Sequence, residues 1–292
     1  MEGETIMREV GIVGLIFLLF GTNAYALTIY TSAHGEMVNL YTHPGYCYTF
    51  DDTKTGSSGT ISSYVDQKSD DINAATVWPK DYPDDPYEPL ETYDKGSAGA
   101  LASSDGLLSV STQCERLIDD PLWPERLKFK AEASWEDSFI NDDSSCKDYT
   151  LHMSISPVNF LRSWWGEASI EVLSYGVDVL LNGSLLWNTT YTMFDPSDHA
   201  AYWPGSESLL IPACNFYIPI GCYSAGESFT LQYVAKAHTY MLDACELATY
   251  VGPFTVMGQM SCSPIPEPAT VFLLGSGLIG LAGFRKTLNK CI

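Results

Sequence analysis

Apolar and polar side chains alternate with period two along much of this chain. In Leu127-Lys128-Phe129-Lys130-Ala131-Glu132-Ala133 every second residue is apolar and the residues between are charged, which places one face of a strand in a core and the other in water. Leu151, Met153 and Ile155 alternate with His152 and Ser154, and Ala168, Ile170 and Val172 alternate with Ser169 and Glu171. Phe229, Leu231, Tyr233, Ala235 and Ala237 alternate with Thr230, Gln232, Lys236 and His238. Tyr46 to Phe50 is a shorter β-prone piece. Tyr175 to Leu181 reads as a strand, and Asn182-Gly183 supplies the two-residue type I′ turn that returns it into Leu185-Leu186-Trp187. Many strands and no amphipathic helix outside the two ends predict an all-β fold. The expected form is an antiparallel two-layer β-sandwich with jelly-roll-like connectivity.

Two stretches depart from this pattern. Pro79, Pro83, Pro86 and Pro89, interleaved with acids, exclude a helix or central strand there and predict a loop or internal linker over 79–91. The ends depart in the other direction. Val10 to Phe20 is apolar, and Ala24-Tyr25-Ala26 has the small-x-small pattern of a signal-peptide cleavage site. Residues 1–26 are therefore expected to be a signal helix and 27–264 the exported region. Glu2, Glu4 and Glu9 outnumber Arg8 in the leading segment, so Met7 is the expected initiator.

At the other end Pro266-Glu267-Pro268 precedes an uncharged run, Ala269 to Phe284, and then Arg285-Lys286. The prolines bias Ile265 and Glu267 toward extended backbone. The run spans about 24 Å as a helix, short of the roughly 30 Å hydrocarbon core of a bilayer. A basic cluster past an apolar span stays on the cytoplasmic side. In this order of parts the segment 265–292 resembles the PEP-CTERM sorting signal, with a short transmembrane helix over 269–284. The resemblance implies recognition of Pro266, Glu267 and Pro268 by an exosortase at the bacterial membrane, with Arg285 and Lys286 as the basic end. It also implies a membrane-anchored precursor, delivery to the cell surface or extracellular matrix, and a setting of exopolysaccharide and biofilm. An ordinary short membrane anchor is the alternative.

Composition narrows the remainder. A net charge of −21 argues against nucleic acid as a partner. Hydrophobic content of 46% with 13% aromatics supports a real core. Of eight cysteines Cys291 lies past the basic cluster, which leaves an odd set of seven outside, where disulfides are the default. Closeness in sequence favours Cys214 with Cys222 and Cys245 with Cys262.

Candidate chemistry is sparse. Gly275-Ser276-Gly277-Leu278-Ile279-Gly280 matches a dinucleotide-binding pattern, but the twelve residues after it leave no room for the βαβ unit that pattern needs. Acidic doublets recur without EF-hand spacing; Asn141-Asp142-Asp143 with Asp148 is the candidate set for calcium, and the sequence points to no other cofactor. The five histidines have no zinc-site spacing, and no nucleophile elbow occurs. Trp164-Trp165 could stack on sugars, although neighbours on a strand face opposite ways. Asn182-Gly183-Ser184 and Asn188-Thr189-Thr190 fit the glycosylation sequon. The resulting expectation is a non-enzymatic exported protein with a structural or adhesive role. The alternatives are a carbohydrate-binding module for exopolysaccharide and a secreted hydrolase.

Overall fold

A computed structural model describes residues 27–39, 46–70, 93–117, 125–165, 170–195, 205–242 and 246–264. The expected signal segment 1–26 with Ala24 and Ala26, and the segment 265–292 with Pro266, Glu267, Pro268, Arg285 and Lys286, lie outside the described residues. So do the proline-rich stretch at 79–91 and Cys245.

The described residues form two antiparallel sheets and no helix. The first sheet has six strands. They are β1 (Thr28–Asn39), β2 (Tyr46–Gly56), β6 (Glu125–Ile140), β9 (Ile170–Leu181), β10 (Ser184–Asp195) and β13 (Ser228–Leu242), in the order β10-β9-β13-β6-β1-β2. The second holds β3 (Thr60–Asp70), β4 (Tyr93–Ser103), β5 (Leu107–Leu117), β7 (Lys147–Ile155), β8 (Val158–Trp165), β11 (Gly205–Ile211), β12 (Cys214–Tyr223) and β14 (Glu246–Pro264). Its order is β11-β8-β14-β5-β4-β3, with β7 pairing β14 and β12 pairing β7. Jelly-roll connectivity is the expectation; the observed order combines local hairpins, β1–β2, β3–β4–β5 and β9–β10, with repeated crossings between the sheets.

The second sheet is better understood as six lanes. The first half of β14 pairs β8 and its second half pairs β7, so β7 and β8 run as one lane broken at Ser156-Pro157. Beside them β12 and β11 form another lane broken at Pro212-Ala213, since Cys214 faces Ile155 and Ile211 faces Val158. On β14 the register against β5 shifts between Val251 and Phe254, across Gly252-Pro253. Proline has no N–H to give a ladder, so three adjacent lanes are interrupted at one level, each at a proline.

Period-two patterning governs the core. Leu127, Phe129, Ala131 and Ala133 are buried, as are Leu151, Met153 and Ile155, and Phe229, Leu231, Tyr233, Ala235 and Ala237. The β9–β10 turn is the expected one: Asn182 and Gly183 have φ of 51° and 77°, the double left-handed geometry of type I′. The strands on either side of 71–92 are register partners up to Asp70 and Tyr93, so the chain leaves and re-enters a single hairpin there.

Two glycine notches set how closely the sheets approach. Phe129 on β6 lies over Gly35, its register partner on β1, and over Gly96 on β4 of the opposite sheet. A Cβ at Gly96 would stand 1.8 Å from Phe129 Cε2, and one at Gly35 2.5 Å from Cε1. Tyr233 on β13 crosses to the second sheet and donates its hydroxyl hydrogen to the Gly106 carbonyl. A Cβ at Gly258 would meet the Tyr233 ring at 2.8 Å. Burial pushes the Tyr233 phenol well above its ordinary pKa, so it stays a neutral donor. A polar seam closes the side of the sandwich: Thr31 Oγ1 and Ser63 Oγ are 2.8 Å apart, and the Tyr64 N–H donates to Asp52 at 2.9 Å.

Overpacking at the Phe129 notch has a measurable cost. Gly96→Ala is expected to lose about 2–3 kcal/mol in urea denaturation, because the methyl group overlaps a ring that has no free volume behind it. Combining it with Phe129→Leu should recover part of that loss; strictly additive losses would show that the two positions do not share the notch.

Candidate functional site

The end of the sandwich from which β14 leaves carries the most elaborated local structure. β14 is a central strand, and its last residues run antiparallel to β7 with Pro264 opposite Lys147. Beside it the 141–146 loop between β6 and β7 meets the 224–227 turn between β12 and β13. Asn141, fully buried, joins them. Its N–H donates to the Glu227 carbonyl at 2.9 Å, and its carbonyl accepts from Gly226 at 2.7 Å. Its side-chain amide donates to the Ser145 and Tyr223 carbonyls at 2.8 and 2.7 Å, while Oδ1 accepts from the Asp143 N–H at 3.2 Å. Each backbone group thus satisfied would otherwise carry a desolvation penalty.

A disulfide staples the same two segments: Cys146 is bonded to Cys222, with Cα atoms 6.5 Å apart. The pairing of Cys214 with Cys222 is therefore corrected. β12 runs away from Cys214 for most of its length, so a partner eight residues distant is out of reach, whereas β7 brings Cys146 alongside Cys222. Cys214 and Cys262 are thiols among the described residues, and the expected partner of Cys262, Cys245, lies outside them. Behind the staple Phe139, Tyr149, Tyr223 and Phe229 make a continuous aromatic stack, with ring centroids 4.4–5.9 Å apart.

The calcium candidates do not converge here. Asn141 spends its side chain on backbone groups, and Asp143 is ion-paired with Lys147, whose ammonium it lifts above its ordinary pKa. Asp142 and Asp148 are exposed. Among the described residues no group of three metal-ligating side chains comes together.

Other chemistry lies on the open faces. Ser261 Oγ and His152 Nε2 are 2.9 Å apart, and Tyr217 packs edge-on against His152. The pair lies on an exposed sheet face, and the described residues give His152 no carboxylate partner, so it is a cross-strand contact rather than an activated nucleophile. Trp164 and Trp165 close β8 opposite Leu247 and Glu246, and their side chains, the candidates for sugar stacking, lie outside the described residues.

The outer face of the first sheet brings Ser174, His238, Lys130, His34 and Asp51 into one row across five strands. His34 Nδ1 lies 2.7 Å from Asp51, Lys236 lies 2.7 Å from Asp178, and Glu36 holds Arg126 and, at 3.6 Å, Lys128. His238 has a buried Nε2 with no hydrogen-bond partner. Burial, then the charges of Lys130 and Lys128, push its pKa down to about 4. Sequence reasoning missed this row, because a period-two pattern identifies a face and not the register that aligns it.

Two outcomes follow from this geometry. The disulfide closes a loop with a sequence separation of 76, and chain-entropy scaling gives about 4 kcal/mol for such a loop, so Cys146→Ser should lower the urea midpoint correspondingly. His238 binds its proton more weakly folded than unfolded, so its contribution to stability is lost as pH falls from about 6.5 toward about 4. His238→Gln should remove that part of the pH slope of the unfolding free energy. An unchanged slope would show that the imidazole is not held neutral.

No curated protein matches the chain. Solved structures that align with most of it include those of infectious bursal disease virus. The Gx strain structure is 12% identical over 87% of this chain and 75% of that one, with a TM-score of 0.14. The Gt strain structure is 11% identical over 86% and 70%, also with a TM-score of 0.14. Scores at this level carry no argument. The match that does bear on function is confined to the carboxyl end. The sequence model of the PEP-CTERM protein-sorting motif matches residues 264–286, so this chain carries an exosortase-type sorting motif that begins on the last residue of β14.

Proposed function

We propose that this protein is an exported cell-surface or extracellular-matrix component, delivered by exosortase processing, with a non-catalytic structural or adhesive role. The single observation that carries the reading is the sorting motif at 264–286, which marks an exported, membrane-anchored precursor. In this reading an amino-terminal signal segment exports the chain, and the uncharged run holds its carboxyl end in the membrane. The Cys146–Cys222 bond suits an oxidising exterior compartment. Among the described residues no constellation of nucleophile, base and orienting acid argues for catalysis. The broad two-layer sandwich suits a role as a surface or matrix building block in contact with exopolysaccharide.

The mechanism at the chain's end is passive. Prolines at 266 and 268 disfavour helix and leave an extended backbone for the enzyme to grip, while the short apolar run holds that site at the membrane surface. The reacting groups belong to the enzyme.

Mass spectrometry of the native carboxyl terminus tests this in cells with and without their exosortase. A terminus near Pro268 that depends on the enzyme is the expected result. Ile292 retained in both would show that the tail is a plain anchor.

A further inference from the structure

β14 changes character along its length. Along 246–251 it is paired on both sides, and its ladder with β5 resumes after Gly252-Pro253 but ends at Met257 opposite Leu107, while its ladder with β7 continues to Pro264. The last seven residues, 258–264, therefore overhang β5; Gly258 gives its N–H to the Tyr233 hydroxyl, and beyond it 259–264 have, among the described residues, one paired edge and one open edge. The direction of each backbone group follows from the turn that joins β7 to β8. Thr255 donates its N–H to Ser156 Oγ at 2.8 Å and accepts from the Ser156 N–H at 2.9 Å, so its backbone groups point toward β7. Strand alternation carries this to Met257, Gln259, Ser261 and Ser263, and turns the N–H and C=O groups of Met260 and Cys262 to the open edge. Pro264 fits the same parity: its position toward the open edge is one where the β7 ladder asks for no N–H.

The overhang is held rigidly. Tyr233 packs against Gly258 at its root, and the full β7 ladder supports the rest. Gln259, Ser261, Cys262 and Ser263 are exposed. Only Ile265 separates its last residue from Pro266. An enzyme that reaches Pro266 must therefore lie against this end of the sandwich, within about 10 Å of the open edge at roughly 3.3 Å per residue.

The geometry points to Gln259–Pro264 as a docking edge at which an extended segment of the processing enzyme adds as a strand, so that the sorting motif enters the enzyme as the continuation of a shared sheet. This rests on the sorting reading of residues 264–286. Open edges also exist at the margins of both sheets; among the described residues, only this one runs directly into the motif. Edge addition supplies affinity through backbone hydrogen bonds, independent of side-chain sequence. It explains why an internal strand extends past its neighbour, an arrangement that otherwise exposes a template for aggregation.

The test uses the full-length precursor in cells that contain the exosortase, with pulse-chase of the tail-bearing form. Cys262→Pro removes one open-edge donor and leaves the β7 ladder intact. It is expected to slow processing at least tenfold while circular dichroism remains that of the parent. Gln259→Ala, whose backbone faces β7, is expected to be processed at the parental rate. As a measurement that needs no substitution, hydrogen exchange of the unmodified precursor bound to the solubilised enzyme should slow at the amides of Met260 and Cys262. Parental processing of Cys262→Pro, or unchanged exchange at both amides in the complex, would overturn the edge proposal and leave the sorting reading standing. Protection of the same amides in the precursor alone, with dimer formation, would also overturn it, because the occupant would be a second copy. A parental precursor that keeps its tail irrespective of the exosortase would remove both readings.

Discussion

The close approach of the two sheets at Phe129 and Tyr233 is the constraint on which the remaining architecture depends. Large rings can lie flat between the layers only because Gly35, Gly96 and Gly258 carry no side chain there. Burial of a large ring stabilises the fold by about 1.5–3 kcal/mol relative to leaving it exposed. It also sets the position of β14, since Tyr233 reaches across to Gly258 at the point where that strand loses its β5 partner. Core packing thus fixes the point at which β14 outruns β5, shortly before the residues that the sorting motif matches.

Proline acts repeatedly as punctuation here. Pro157, Pro212 and Pro253 interrupt three neighbouring lanes at one level, and β7 and β8 share β14 as one broken lane. Pro264 ends the last strand at a position where no donor is needed. In sequence these residues mark separate turns. Only the register shows that the first three are a single device, because they lie 41 to 96 residues apart and become neighbours through the pairing of different strands.

Legibility differed by the range of the interaction. The alternations at 127–133, 151–155 and 229–237 became β6, β7 and β13 with the expected faces inward, and Asn182-Gly183 became the expected turn. The disulfide did not follow: closeness in sequence favoured Cys214 for Cys222, while strand pairing brought Cys146. Asn141 attracted attention as an oxygen ligand beside acids, yet its amide is consumed by carbonyls that arrive from residues 145 and 223. No local pattern announces a side chain that caps two loops at once.

Taken alone, the amino-acid order determined the strand content, the burial of alternate residues and the sorting motif. These are properties of short segments: a period-two pattern selects a face, and a run of prolines, apolar residues and basic residues can be recognised without a fold around it. The tertiary structure decided which strands pair, which cysteines meet, which polar residues align across the outer sheet and which edge of β14 stays open. Those depend on register between segments distant in sequence. Register is set when the whole apolar layer is buried at once, since a slip of one residue would turn every inward side chain out to solvent.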